Sequence, residues 1–321
     1  MASSKRVTLL IYHPAREQAL QIRDVVAARF PQLCIGVAAT AEQARPLVAG
    51  ADIIAGWGFP PELLAGARRL RWFHKLGAGV DDLVLSDRLP AEVVLTRTNG
   101  RVFARRMAEY VMAYILAFCQ DIRRVVRQQQ ARRWQPFLPK TAAGRTVGVA
   151  GLGDIGTEVA QLATAMGMRV VGWRRSPAAV GGVERVYAGR KELVPFLAES
   201  EFVVIVLPLT RETRGLLGRQ ELSAMRQGAY LINVGRGPIV DEAALLEALQ
   251  SGRLAGAALD VFAREPLPEG HPLWELDNVY ITPHISGPGL PEELGEELCA
   301  NLARYMRGEP LAKQVPKNRG Y

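Results

Sequence analysis

Three side chains that could together assist the reduction of a carbonyl group by a hydride donor lie in the C-terminal half of the 321-residue sequence. They are Arg236, Glu265 and His284. Each follows an apolar run of the kind that forms a β-strand. A guanidinium can hold a substrate carboxylate and polarise the adjacent carbonyl group, and an imidazolium can deliver a proton to the carbonyl oxygen as hydride arrives. A carboxylate beside the imidazole favours its protonated form. Any one of these residues alone has an ordinary structural interpretation, but the set of three indicates reduction of a keto acid.

A glycine-rich segment upstream indicates where a dinucleotide that carries hydride would bind. It reads Gly151-Leu152-Gly153-Asp154-Ile155-Gly156, follows the apolar run 146–150 and precedes a helical pattern of apolar residues. The first glycine permits a tight turn, the second lets a pyrophosphate approach the backbone, and the third lets the helix pack against the strand. The helix N-terminus then faces the phosphates. In this strand–turn–helix setting, the motif predicts cofactor binding.

The end of the next predicted strand distinguishes between the two nicotinamide cofactors. An NAD site usually has an Asp or Glu about 20 residues after the glycines, which binds the ribose hydroxyls. This sequence has Arg174, Arg175 and Ser176 there instead. Guanidinium groups bind a 2′-phosphate through charge-assisted hydrogen bonds, whereas a carboxylate would repel it. We therefore expect NADP(H) to be preferred over NAD(H), the alternative being that the two arginines only face solvent.

Short apolar runs alternate with amphipathic stretches through most of the chain, and this alternation predicts an α/β fold with parallel sheets and crossover helices. The predicted strands form a first series at 7–12, 35–38, 52–55, 70–73 and 93–95, and a second series at 146–150, 169–173, 202–206, 229–233, 255–259 and 279–282. The main predicted helices are 15–30, 101–130, 154–166, 190–198, 219–225, 241–251 and 291–307. The last helix has no strand after it, so it could return to pack on the first series.

Composition argues against several classes of protein. The formal net charge is +8, but the basic residues are scattered at helical spacing, so we expect no nucleic-acid partner. No apolar run is long enough to span a membrane, and no apolar core of a secretory signal follows the N-terminus. The three cysteines, Cys34, Cys119 and Cys299, are far apart and form neither a disulfide framework nor a metal-ligand set. We therefore expect a cytoplasmic protein that binds no metal ion and no membrane.

Several segments resemble the D-isomer-specific 2-hydroxyacid dehydrogenase family, and the resemblance covers essentially the whole chain. Besides the glycine-rich segment, they are residues 233–237, 259–266 and 282–284. The resemblance implies two doubly wound parallel-sheet domains, namely a flavodoxin-like substrate domain and a Rossmann cofactor domain. The substrate domain would be discontinuous, formed by residues 1–99 and 286–321. The cofactor domain would occupy residues 100–285.

The same resemblance implies roles for individual residues. The family's catalytic arginine, glutamate and histidine fall on Arg236, Glu265 and His284. Besides residues 151–156 and 174–176, those expected to bind the cofactor are Leu207, Pro208, Val234, Gly235, Arg236, Asp260 and His284. Those expected to bind a small 2-keto acid substrate are Trp57, Leu76, Gly77, Ala78, Gly79, Arg236 and His284. The helical stretch 101–130 corresponds to the family's dimer arm, so we expect a homodimer.

Within the family, the resemblance is strongest to the glyoxylate/hydroxypyruvate reductase A group. It is carried by residues 12–14, 187–190 and 264–268, by the Trp57 region and by the C-terminal Arg319-Gly320-Tyr321. The implied activity is NADPH-dependent reduction of glyoxylate and hydroxypyruvate to D-2-hydroxy acids. Residues 285–289 depart from that group, which leaves open a dehydrogenase for another D-2-hydroxy acid. A binding protein that senses a dinucleotide on the same fold is a further alternative.

Overall fold

The structure, a computed structural model, describes residues 6–287 and 289–316. Two parts of the segments compared with the family therefore lie outside the described residues, namely Pro288 and the C-terminal Arg319-Gly320-Tyr321. Within the described part of the chain, no helix combines the length and the apolar character that crossing a membrane requires.

The strands and helices follow one another in the alternating order expected of parallel sheets. The strands are β1 (Thr8–Tyr12), β2 (Cys34–Ala38), β3 (Ile53–Gly56), β4 (Trp72–Lys75), β5 (Val94–Arg97), β6 (Thr146–Ala150), β7 (Arg169–Arg174), β8 (Arg185–Ala188), β9 (Phe202–Ile205), β10 (Ala229–Asn233), β11 (Leu254–Leu259) and β12 (Val279–Ile281). The α-helices are α1 (Arg16–Arg29), α2 (Ala41–Val48), α3 (Asp81–Val84), α4 (Arg101–Cys119), α5 (Ile122–Gln130), α6 (Asp154–Ala165), α7 (Leu193–Glu199), α8 (Arg219–Ala224), α9 (Glu242–Gln250) and α10 (Pro291–Met306).

The chain divides into two compact units, of which the first comprises Met1–Gly100 and Pro288–Tyr321. It contains a five-stranded parallel sheet in the order β2-β1-β3-β4-β5. Alternate side chains of β1 point to opposite faces of this sheet. Leu9 and Ile11 pack with apolar residues of α1 and α10, whereas Leu10 packs with those of α2. Helices therefore cover both faces, and α10 reaches the sheet from the C-terminal part of the chain.

The second unit, Arg101–Gly287, contains a seven-stranded parallel sheet in the order β12-β11-β10-β9-β6-β7-β8. Its strands are buried over most of their length, as expected for a parallel sheet with helices on both faces. The chain runs from the central β6 outward to β7 and β8, and then crosses to β9 on the other side of β6. Ligands of doubly wound sheets bind where the winding reverses, beyond the carboxyl ends of the strands. The loops after β6, β9 and β10 therefore lie where a dinucleotide is expected.

The predicted α/β class with two parallel sheets is confirmed, but some predicted elements are wrong in detail. The predicted helix 101–130 is two helices, because Asp121 between α4 and α5 has a left-handed φ of 47°, which Asp tolerates better than most residues. The predicted helix 190–198 begins as a 3₁₀ turn, Arg190–Glu192. Strand β8 was not predicted, since it is a short edge strand with a polar first residue.

Strand β4 lies two residues later than predicted because it ends in two polar residues that are buried. His74 is 1% exposed; its Nδ1 lies 2.7 Å from Oγ1 of Thr96, and its Nε2 lies 3.2 Å from Oγ1 of Thr98. Lys75 is 6% exposed and forms an ion pair with Asp82. These partners satisfy polar groups that would be costly to bury alone. A pattern of apolar residues cannot show that such a strand continues.

Candidate active site

The glycine-rich segment forms the turn between β6 and α6, where the winding of the second sheet reverses. Gly151 has a φ of 104°, which side chains other than glycine rarely adopt. A Cβ at Gly156 would lie 1.8 Å from the Gly151 carbonyl oxygen, so a glycine is required for α6 to begin this close to the turn. A Cβ at Gly153 would meet no protein atom within 4 Å. The turn thus fits a pyrophosphate placed against the N-terminus of α6.

The residues between these glycines differ in exposure. Leu152 is buried, and a Cβ on Gly172 of β7 would lie 2.5 Å from its Cδ1. Asp154 is exposed and Ile155 is half-buried in the first turn of α6. Leu152 therefore packs the turn against the neighbouring strand, and the exposed part of the turn is formed by Gly153 and Asp154.

The end of β7 carries the residues predicted to select the cofactor. Arg174 is the last residue of β7 and is half-buried, while Arg175 and Ser176 follow it and are exposed. Among residues 6–287 and 289–316, no Asp or Glu forms an ion pair with Arg174. No acidic residue occurs between positions 172 and 183 of the sequence. This strand end therefore suits a phosphate group and lacks the carboxylate that binds ribose hydroxyls in NAD sites.

Glu265 and His284 follow the adjacent strands β11 and β12, and their side chains are hydrogen-bonded to each other. Nδ1 of His284 lies 2.8 Å from Oε2 of Glu265, and Oε1 of Glu265 accepts a hydrogen bond from the Phe262 amide at 3.0 Å. Because Nδ1 faces the carboxylate, Nε2 is on the opposite side of the imidazole from Glu265. The His284 side chain is 33% exposed, so a ligand can reach it.

The surroundings of Glu265 keep its carboxylate charged. Burial raises the pKa of this carboxyl, but the hydrogen bond with His284, the amide of Phe262 and the positive charges of His284 and Arg236 together hold the pKa below its ordinary value. Glu265 is therefore negatively charged throughout the neutral range. The charged carboxylate holds the imidazole in one orientation through Nδ1, and a general acid needs such a fixed orientation.

The third reactive side chain, Arg236, follows the neighbouring strand β10 and is half-buried. Its Nη1 donates to the Gly235 carbonyl oxygen at 2.8 Å. The turn that presents Arg236 is held by Asn233, which is 1% exposed. Oδ1 of Asn233 accepts from the Gly235 amide at 3.1 Å, and its Nδ2 donates to the Arg236 carbonyl oxygen at 3.2 Å. Asn233 was not predicted to be a site residue, although a polar residue ending an apolar strand is a usable signal.

The remaining residues predicted to bind the cofactor lie just beyond the central strands. Leu207 and Val234 are buried, and Pro208 is half-buried with its carbonyl oxygen accepting from Oγ1 of Thr213 at 2.7 Å. Asp260, after β11, is 0% exposed, and its carboxylate accepts hydrogen bonds from within the protein. The Asp260 carboxylate thus holds the loop after β12, and its predicted contact with the cofactor stays a prediction.

In the first unit, the residues predicted to bind the substrate follow the neighbouring strands β3 and β4. They are Trp57, Leu76, Gly77, Ala78 and Gly79. A Cβ at Gly77 would lie 2.2 Å from Cζ3 of Trp57, so the indole lies directly on the backbone of the loop. Nη1 of Arg97 donates to the Ala78 carbonyl oxygen at 3.1 Å and fixes the loop from β5. Arg97 was not predicted, because its partner is distant in sequence.

The part of the chain that the structure describes provides no cluster of His, Cys, Asp and Glu side chains that could hold a metal ion. Its cysteines are free thiols. Cys34 is exposed, whereas Cys119 and Cys299 are buried.

Known proteins with similar sequences match this chain closely in length. The family model described as D-isomer specific 2-hydroxyacid dehydrogenase, NAD binding domain, matches residues 112–286, more than half of the chain. Glyoxylate/hydroxypyruvate reductase A of Serratia proteamaculans (strain 568) is 38% identical over 276 residues, which cover 84% of this chain and 88% of that protein. The protein of the same name from Yersinia enterocolitica is 34% identical over 320 residues, which cover 98% of this chain and 100% of that protein.

Solved structures agree with these sequence matches. A D-isomer specific 2-hydroxyacid dehydrogenase from Xanthobacter autotrophicus Py2, in complex with NADPH and MES, superposes with a TM-score of 0.89 at 39% identity and covers 99% of this chain and 100% of that one. An NADPH-dependent glyoxylate/hydroxypyruvate reductase from Sinorhizobium meliloti, in complex with NADP and sulfate, has a TM-score of 0.89 at 32% identity, with the same coverage of 99% and 100%.

Proposed function

Because this chain belongs to the D-isomer specific 2-hydroxyacid dehydrogenase family and is an oxidoreductase of that family, we propose that it uses NADPH to reduce small 2-keto acids, namely glyoxylate and hydroxypyruvate. The products are 2-hydroxy acids, of D configuration where they are chiral. One observation carries the proposal: the 2.8 Å hydrogen bond between His284 and Glu265, in the same unit as Arg236 and the glycine-rich turn.

Each of the three reactive residues has a separate role in the reduction. When bound, NADPH supplies the hydride, with its pyrophosphate against residues 151–156. Arg236 binds the substrate carboxylate and stabilises the negative charge that develops on the 2-keto oxygen. His284 gives a proton from Nε2 to that oxygen, because its Nδ1 is engaged by Glu265. Glu265 orients the imidazole through its hydrogen bond with Nδ1.

Preference for NADPH is part of the proposal. It is supported by Arg174 at the end of β7, by the absence of an acidic residue between positions 172 and 183, and by the NADPH and NADP complexes of two similar structures. We assign Arg175 and Ser176 to the same phosphate site. Leu207, Pro208, Val234 and Gly235 are proposed to contact the cofactor from the loops after β9 and β10.

Glyoxylate and hydroxypyruvate are proposed as substrates because the curated relatives at 34–38% identity carry those names. Trp57 and the loop 76–79 are proposed to bind the substrate. Support for this role comes from the close packing of the indole on Gly77 and from the hydrogen bond that Arg97 donates to the Ala78 carbonyl oxygen. Another D-2-hydroxy acid is the alternative product, because residues 285–289 depart from the pattern of the reductase group.

We also propose a cytoplasmic homodimer. The segment that begins with α5 exposes apolar side chains, and two beyond the helix, Trp134 and Leu138, are each 95% exposed. Large apolar side chains exposed together mark a surface for a partner. The free thiols of the described residues are consistent with a reducing compartment.

The test of the proposed function is a kinetic panel with purified protein. Glyoxylate, hydroxypyruvate, pyruvate and phenylpyruvate are each assayed with NADPH and with NADH by the loss of reduced-cofactor absorbance. We expect the highest kcat/KM with NADPH and either glyoxylate or hydroxypyruvate. Higher values for pyruvate or phenylpyruvate would establish the alternative substrate class. Tight NADPH binding without turnover of any keto acid would reject the reductase and support a dinucleotide sensor.

A further inference from the structure

The loop that carries His284 is held by one buried carboxylate, that of Asp260. Oδ1 of Asp260 accepts from the Ile285 amide at 2.8 Å, and Oδ2 accepts from the Ser286 amide at 2.9 Å. The carbonyl oxygen of Asp260 accepts from the His284 amide at 3.0 Å. His284 has a left-handed φ of 55°, which is uncommon for residues other than glycine, although histidine adopts it more readily than most. Three consecutive amides bonded to one residue keep the loop in this conformation.

Two hydroxyl groups connect Asp260 to helix α4. Oγ1 of Thr282 lies 2.6 Å from Oδ1 of Asp260 and 2.6 Å from the hydroxyl oxygen of Tyr110. A carboxylate only accepts hydrogen bonds, so Thr282 donates its single hydroxyl proton to Asp260. Thr282 must then accept from Tyr110. The hydrogen bonds therefore run in one direction, from Tyr110 through Thr282 to Asp260.

Tyr110 is placed to act as a fixed donor. Burial raises the pKa of Tyr110 and outweighs the lowering effect of the Thr282 hydrogen bond, and the charge of Asp260 raises the pKa as well. The phenol is therefore neutral and keeps its proton. Its ring packs against that of Tyr114, with ring centroids 4.6 Å apart, and Tyr114 packs against Tyr280 at 5.2 Å. These contacts fix the ring of Tyr110 and thereby its hydroxyl group, which lies beside Thr282.

We propose that Tyr110 is a positioning residue for the reduction, acting through Thr282 and Asp260 to fix the loop that presents His284. This inference rests on the proposed function, because that function assigns the proton transfer to His284. Consecutive hydrogen bonds polarise and strengthen one another, and this chain runs from two half-buried hydroxyls to a buried carboxylate. Loss of the first hydroxyl therefore weakens the hold of Asp260 on the amides after His284, and the imidazole loses part of its alignment with the substrate.

The variant Tyr110→Phe removes one hydroxyl and keeps the ring contacts. We expect kcat for glyoxylate reduction to fall roughly five- to tenfold, the loss that one hydrogen bond accounts for, while KM for NADPH stays unchanged. Thr282→Val should lose a similar factor, and Thr282→Ser should keep the wild-type kcat because it retains the hydroxyl. The double variant should lose no more than the larger single loss, because both changes break the same chain. Tyr230→Phe is the matched control in the same aromatic cluster, with no expected effect.

Amide hydrogen exchange of Ile285 and Ser286 gives a second readout that does not depend on turnover. We expect faster exchange at both amides in Tyr110→Phe and in Thr282→Val, and no change in Tyr230→Phe. With an active wild-type enzyme, an unchanged kcat in Tyr110→Phe would overturn the positioning role. An inactive wild-type enzyme would instead overturn the proposed function. In that case unchanged exchange in Tyr110→Phe would show separately that Tyr110 does not hold the loop.

Discussion

Nδ1 of His284 lies 2.8 Å from Oε2 of Glu265, and this contact turns the opposite ring nitrogen, Nε2, away from the carboxylate. The two residues are 19 positions apart in the sequence and follow adjacent parallel strands. Glu265 is also held by the Phe262 amide, so the orientation of its carboxylate does not depend on His284 alone. Each partner is therefore fixed by its own loop, and the pair does not depend on a bound substrate to form.

Replacing Glu265 by Gln should lower activity at neutral pH. The pKa of Glu265 is held below its ordinary value, so the carboxylate is charged at neutral pH and loses its charge only in acid. Glutamine keeps the shape but carries no charge at any pH, so the hydrogen bond with Nδ1 of His284 loses its charged acceptor. We expect kcat/KM to fall roughly tenfold at pH 7, with a smaller difference from the wild-type enzyme as the pH falls and Glu265 becomes protonated. A wild-type rate in the variant would show that the charge of Glu265 is not used, and Glu265→Asp is the control that keeps the charge.

Replacing Arg236 by Ala should reduce kcat/KM for glyoxylate by about 10²- to 10³-fold, because a preorganised donor to the developing oxyanion is lost. Arg236→Lys keeps the positive charge but not the planar fork, so we expect an intermediate loss. Binding of NADPH, measured by fluorescence titration, should remain within the same order of magnitude. A loss below tenfold in Arg236→Ala would mean that another group anchors the substrate carboxylate.

Replacing Arg174 by Asp should abolish or reverse the preference for NADPH. A 2′-phosphate bound by guanidinium should gain about 2–4 kcal/mol over a hydroxyl, or roughly 30- to 1,000-fold in kcat/KM. The wild-type preference should shrink as salt rises, because the contact is electrostatic and Arg174 is still partly open to solvent. Arg174→Gln, which removes the charge without adding a negative one, is the matched control. Equal use of NADH and NADPH by the wild-type enzyme at low salt would refute this assignment.

His74 should make the first unit sensitive to mild acid. Burial lowers the pKa of His74 to about 3, and the charge of Lys313 acts in the same direction. Between the ordinary pKa of about 6.5 and about 3, the unfolded chain binds a proton that the folded chain does not. The free energy of unfolding should therefore fall as pH drops through this window, by about 1.4 kcal/mol per pH unit.

The variant His74→Gln isolates this effect, because glutamine bonds to hydroxyls but does not titrate. Urea unfolding between pH 7 and pH 5 should give a flatter dependence on pH for the variant than for the wild-type protein. The variant should also be less stable at pH 7, by about 1–3 kcal/mol, if its amide does not reach both Thr96 and Thr98. Parallel curves for the two proteins would assign the acid sensitivity to other groups.

Replacing both Trp134 and Leu138 by Ser should weaken the proposed dimer. Each side chain is 95% exposed in the single chain, and apolar anchors of this kind carry much of the energy of an interface. Sedimentation equilibrium should show a dimer dissociation constant at least tenfold higher than that of the wild-type protein. Trp274→Ser, at a tryptophan that is 49% exposed, is the control. A wild-type protein that sediments as a monomer at micromolar concentration would reject the dimer.

The parts of the fold that sequence predicts well are those with strong local signals. Strands β6 and β10 have the predicted bounds, because each is an apolar run with a turn of glycine or polar residues at either end. The break between α4 and α5 at Asp121 could not be predicted, since its left-handed φ interrupts an otherwise continuous helical pattern. Strand β4 was predicted two residues too early in the sequence. Its last two residues, His74 and Lys75, are polar but buried, and a pattern of apolar residues does not include them.

The residues of the candidate site likewise fall into those that a local sequence signal identifies and those that it does not. The glycine-rich turn and the residues that end strands could be read from short motifs. Some contacts that orient them depend on partners that come close only after folding. Arg97 holds Ala78 from a strand 19 residues later, and a contact of this kind has no fixed spacing along the chain. Asn233 instead holds the turn of Arg236 through groups two and three residues away, so a polar residue at the end of an apolar strand is a local signal that the prediction did not use.

The contact between Trp57 and Gly77 makes these two positions interdependent for protein engineering. Even a methyl group at position 77 would overlap the indole, so Gly77→Ala alone should misplace the tryptophan or the loop. A smaller side chain at position 57 relieves that overlap and opens position 77 to substitution. Libraries that aim to widen substrate range should therefore vary both positions together. Scanning each position separately would record Gly77 as intolerant of change and would miss the combinations that fold.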